Sequence, residues 1–134
     1  MTRRLPKSKS PFAGTWRIAE MELWGKDYID LEGPGFIKFD SKGNGFLRFG
    51  AVEADLDCRV EGSAGRSRIE FSLEGNNESD PACGRGWAML ENGMLQGRLF
   101  FHRGDESSFR AIRPSRSNRT PNTDARKSGA RRLA

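Results

Sequence analysis

The sequence predicts an all-β fold, an eight-stranded antiparallel up-and-down barrel, with a two-sheet β-sandwich as the alternative. Three observations predict it. Segments of alternating apolar and polar residues run through the chain, turn chemistry recurs about every 8–12 residues, and no long helical pattern with caps interrupts them.

The opening strand is expected at 15–23, and Trp24–Pro34 reads as loop with room for one irregular turn. Strands 36–40 and 46–51 flank Ser41-Lys42-Gly43-Asn44-Gly45, a cluster of turn residues. Strand 54–61 sets Ala54, Leu56, Cys58 and Val60 against Asp55, Asp57, Arg59 and Glu61. Strand 67–74 sets Ile69, Phe71 and Leu73 against Arg68, Glu70, Ser72 and Glu74, with Gly62-Ser63-Ala64-Gly65 as the reversal between the two. A period of two means one buried face and one wet face, as in an antiparallel sheet. Strands 86–90 and 94–102 meet at Asn92-Gly93, which suits the two positive-φ positions of a type I′ turn. The last strand is 107–113. Eight strands joined in series close most simply into a barrel, which removes both sheet edges.

The Asn92-Gly93 turn sets a register: Glu91 pairs with Met94, Leu90 with Leu95 and Ala88 with Gly97. Gly86, Ala88 and Gly97 then share a face with Leu95, Leu99 and Phe101. If that face points inward, a bulky group must occupy the space left by the small residues. Trp16 would fill it in a packed barrel, and a ligand would fill it in a carrier. An interior of eight strands suits either case, although close packing is the rule.

The formal charge of +5 conceals a division along the chain. Residues 1–10 carry Arg3, Arg4, Lys7 and Lys9 and no acid, for +4. Residues 114–134 carry six basic groups against Asp124, for +5. The body, 11–113, holds 13 basic and 17 acidic groups, a net of −4. Both tails are polar and without aromatic residues, so they cannot bury enough surface to offset ordering entropy and are expected to be disordered. No apolar run approaches the roughly 18 residues of a spanning helix, so an integral membrane protein is not expected. No apolar stretch follows the basic start, so no secretory signal is read, and a cytoplasmic location is expected.

The opening Phe12-Ala13-Gly14-Thr15-Trp16 resembles the G-x-W start of the calycin barrels, the group of lipocalins, fatty-acid-binding proteins and avidins. The resemblance rests on Gly14 to Trp16 together with the strand count over 15–113, and the whole looks like a small bacterial calycin-like protein. It implies a barrel in which the glycine turns the chain into the first strand and the tryptophan closes one end. It carries no ligand site across.

Catalytic chemistry is thinly represented. His102 is the single histidine, at the end of an apolar strand, and reads as a rim residue. No spacing of His or Cys makes a metal set, and no cofactor is expected. Gly33-Pro34-Gly35 reads as a turn, because no helix and no GK[ST] follow it. Glu53, Asp55 and Asp57 read as a solvated face, and Cys58 and Cys83 as two reduced thiols. Asn76–Trp87 is read as a long loop that carries Asp80, Cys83 and Arg85, with Asp80 paired to Arg85 or Arg85 free to meet an anion.

The expectation is a noncatalytic binding or interaction protein with a protein partner. The alternative is a calycin-type carrier of a small apolar or anionic ligand, with Trp16, Arg85, Trp87 and Phe101 as candidate contacts. A third reading has the tails meeting nucleic acid or an anionic surface nonspecifically. The acidic body, and strands without an aromatic-plus-basic face, weigh against nucleic acid.

Overall fold

The structure is a computed structural model that describes residues 10–62 and 67–114. Alternation sets each strand's inner face. The strands are β1 (Gly14–Met21), β2 (Phe36–Phe39), β3 (Asn44–Phe49), β4 (Val52–Glu61), β5 (Arg68–Asn77), β6 (Asp80–Glu91), β7 (Met94–Phe101) and β8 (Glu106–Ile112). Each pairs antiparallel with the next, and β8 pairs back onto β1, so the sheet is a closed up-and-down barrel rather than a sandwich. Along β4, Val52, Ala54, Leu56 and Cys58 face in, while Glu53, Asp55 and Asp57 are exposed. The register shifts between Ile18 and Glu20 on β1, which lets Ile18 and Met21 both face the core although they are three residues apart.

The Asn92-Gly93 hairpin has the expected register, Glu91 opposite Met94 and Ala88 opposite Gly97, with both central residues at positive φ. Two other turns differ from expectation. β3 ends at Phe49, and Gly50-Ala51 forms a two-residue turn in place of the end of the expected strand 46–51. Asn76–Trp87 is not a long loop. It is the β5–β6 hairpin, in register from Arg68↔Met89 to Asn77↔Asp80, turning through Glu78 and Ser79 with Glu78 at φ 59. Pro81, Gly84 and Gly86 resemble loop punctuation, yet Pro81 sits by the hairpin turn and the glycines face inward. Asp80 and Arg85, five residues apart on one strand, point to opposite faces and form no pair.

Beside Gly86 the space is taken by the ring of Phe71. A methyl group on Gly86 would lie 2.8 Å from the Phe71 ring, and one on Gly97 would lie 1.9 Å from the Trp87 carbonyl oxygen. Phe71 and the neighbouring backbone occupy that space. Among the described residues twenty-one apolar side chains make the core, and inward apolar with outward charged positions is the reverse of a lipid-facing barrel. Among the described residues no helix is long and apolar enough to cross a membrane. The tail segments 1–9 and 115–134, and most of the expected reversal after Gly62, lie outside the described residues.

Candidate functional site

The two ends of the barrel are built differently. At the base, where β1 starts and β8 ends, Gly14 turns the chain into the first strand at φ 113, a conformation that side chains other than glycine rarely adopt. Trp16 is buried, and its indole N–H donates to the Phe12 carbonyl at 2.9 Å. The Arg113 guanidinium lies 3.8 Å from the Trp16 ring centroid and donates to the Pro11 carbonyl at 3.2 Å. A methyl group on Gly14 would lie 2.5 Å from Arg113 Nη1, so the glycine also makes room for that stack. Phe12, fully buried, meets Phe39 edge-on at 6.5 Å, and Phe39 meets Phe71 at 6.0 Å. This end is sealed.

At the opposite end, the mouth, the chain leaving β1 is tethered to β8. The Glu22 N–H donates to the Ser108 carbonyl at 3.1 Å and the Leu23 N–H to Ser107 Oγ at 3.0 Å. That tether brings Trp24 over the opening, with its ring 4.9 Å from Phe49 and perpendicular to Phe101 at 6.3 Å. A single helical turn, α1 (Lys26–Ile29), follows. Its Ile29 is fully buried, and its Tyr28 ring stacks beside Trp24 and rests on Gly50, where an added methyl group would be 2.1 Å away. Gly50 adopts φ 57, so this position needs glycine for its backbone and for the ring above it.

Asp30 pins this lid. Its carboxylate accepts from the Gly35 N–H at 2.8 Å, from Lys26 Nζ at 2.5 Å and from Arg17 Nη2 at 3.4 Å, Arg17 being on β1. Desolvation alone would raise its pKa, but the Gly35 hydrogen bond and the charges of Lys26 and Arg17 together hold it below the ordinary value.

Trp24, Tyr28 and Phe101 wall a cleft of about 410 Å³, with Val52 also lining it. Its polar lining comes from the tip of the β5–β6 hairpin (Asn77, Asp80) and from the β7–β8 turn (His102, Asp105). The Glu78 N–H donates to the Ala51 carbonyl at 3.0 Å and the His102 N–H to the Cys83 carbonyl at 2.7 Å, so both turns are fixed to their neighbours. Larger concavities, of about 510 and 580 Å³, lie over β5 to β8 and over β6, β7, β8 and β1, and mix charged with apolar and small side chains.

The four candidate contacts do not come together. Trp16 lies in the core at the base, and Phe101 lies at the mouth. Arg85 and Trp87 point outward from β6, Arg85 beside the Phe100 ring at 5.5 Å and Trp87 beneath Arg68 at 4.6 Å, so neither reaches the interior. Of the four, only Phe101 belongs to the cleft. Trp24 and Tyr28 were missed because they fall in an aperiodic segment, although Gly25 ahead of KDYI and the four-residue spacing of the two rings signal one helical turn carrying aromatics on one side.

Both cysteines are free. Cys58 is buried near the base, and desolvation, then Asp57 and Asp40, push its thiol up to about 12. Cys83 is exposed at the mouth rim. Among the described residues, no three His, Cys, Asp or Glu side chains converge as a metal site would require. In comparisons with known proteins the chain gives no significant match to a family model, a curated protein or a solved structure.

Proposed function

We propose that this chain is a noncatalytic, calycin-like binding protein that takes a small ligand at the barrel mouth and not in the barrel interior. One observation carries the reading. The interior is filled by its own side chains, whereas the mouth presents three partly buried aromatic rings around a cleft of about 410 Å³, within the roughly 300–1,000 Å³ of small-molecule sites. The G-x-W opening and the barrel order support the calycin likeness. A protein partner is the second reading, and the exposed Leu23 and Leu31 flanking the lid favour it.

The test is a fragment library screened by amide NMR against the full chain. Shift changes clustered at residues 24–28, 77–83 and 101–105, and lost in Trp24→Ala, are expected. Changes confined to the outer strand faces, or to residues around Trp16 and Phe71, would overturn the reading.

A further inference from the structure

We propose that the mouth cleft selects a small organic cation, a primary or quaternary ammonium group carried on a short apolar stem. The inference rests on the mouth-binding reading and adds the chemical class.

The first argument is the shape of the aromatic lining. Trp24 stands perpendicular to Phe101 at 6.3 Å and lies nearly parallel to Tyr28 at 6.3 Å, so the rings line the cleft in two orientations. Aromatic faces carry negative quadrupole potential and attract a cation lying within about 6 Å, tryptophan most strongly. The second argument is the charge of the rest of the lining. Asp80 and Asp105 both line the cleft, and among the described residues no lysine or arginine does. Arg85 and Arg103 line the adjoining concavity instead.

The third argument is the field around the opening. Beside the Gly50-Ala51 turn, on which Tyr28 rests, a hollow of about 250 Å³ is lined by Glu32, Glu53 and Glu78. These carboxylates favour a cation over an anion near the opening, screened over a Debye length of about 8 Å at physiological salt. An anionic ligand, which Arg85 in the sequence suggested, finds no lysine or arginine in the cleft lining among the described residues, because Arg85 points outward from β6. Rings without carboxylates would accept neutral apolar groups equally well, and carboxylates without rings would hold only hydrated ions. The two together fit a weakly hydrated organic cation.

Three isosteric probes separate the terms: choline, its uncharged analogue 3,3-dimethylbutan-1-ol, and the anionic 3,3-dimethylbutanoate. Each is titrated into the full chain with amide NMR shifts of residues 24–28 and 101–105 as readout. Choline is expected to bind at least ten-fold more tightly than the alcohol, and the carboxylate not at all. The paired substitution Asp80→Asn with Asp105→Asn, both at exposed positions, is expected to bring choline down to the alcohol's level while leaving the alcohol unchanged. Trp24→Ala abolishes binding of both, and Trp24→Phe retains part of it. If the alcohol or the carboxylate equals choline, or if the paired substitution leaves the choline preference intact, the charge inference is overturned while mouth binding stands. If none of the probes moves the mouth while library fragments do, the charge inference alone fails. If the fragments are silent as well, both readings fall.

Discussion

The base and the mouth of this barrel are made from the same materials, aromatic rings, glycines and an arginine or aspartate pin, and they do opposite things with them. At the base, Phe12 and Trp16 are almost entirely buried, the indole N–H goes to the Phe12 carbonyl and the Arg113 guanidinium covers the ring. At the mouth, Trp24, Tyr28 and Phe101 pack against the core but remain partly open to solvent. The difference teaches where stability and binding separate. Burial that is complete contributes to folding, whereas burial left incomplete beside polar groups is surface that a ligand can finish covering.

Substitutions break this comparison in graded steps. The largest effect is expected from Trp16→Ala, which should lower unfolding stability by about 3–5 kcal/mol, the usual cost of removing a buried large aromatic. Urea titration measures it, and a loss below about 1 kcal/mol would mean that the base is not the structural end. Next comes Gly14→Ala, where a strained φ and the encounter with Arg113 Nη1 act together, for about 1–3 kcal/mol. Trp24→Ala should cost less than Trp16→Ala, about 1–2 kcal/mol for a partly buried ring, while removing mouth binding. If the order of the two tryptophans is reversed, the assignment of the two ends is wrong.

Acid sharpens the contrast further. Asp30 has a folded pKa below its ordinary 3.8, so its contribution is fully present above that value and is lost as pH falls through the lower folded value. Protection at residues 26–35 should therefore fall as the pH is taken below 3.8, before protection at the base does, and Asp30→Asn should show the weakened protection already at neutral pH. Equal protection at both pH values would show that Asp30 does not hold the lid. The smallest effect is chemical. One thiol, Cys83, should react with a thiol reagent in the native protein at neutral pH and two in denaturant, because burial keeps Cys58 protonated. Two native equivalents would place Cys58 in reach of solvent.

Parts of the fold are plain in the residues. Ala54–Glu61 and Ser67–Glu74 alternate without a break, and Asn92-Gly93 names its own turn and so its register. The hairpin tip at Glu78-Ser79 carries no such signal, and Pro81, Gly84 and Gly86 beside it imitate a loop. Those glycines serve packing: a methyl group on Gly84 would lie 2.0 Å from the Phe100 carbonyl oxygen, an approach between strands that alternation does not express. The candidate site was the least legible part. Arg85 beside Trp87 looked like a ligand contact in one dimension, but a residue's inward or outward direction on β6 decides whether it can reach the interior.

By itself, then, the sequence determined the all-β class, the eight strands, most of the inner face and the separation of an acidic body from basic ends, because alternation, turn chemistry and charge are local properties. Only the tertiary structure decided that the interior is filled, that Trp16 and Phe101 stand at opposite ends and that Trp24 covers the mouth. Those facts depend on closure of β8 onto β1 and on the tether from Glu22 and Leu23 to β8, contacts between residues more than eighty positions apart. No local pattern encodes such contacts.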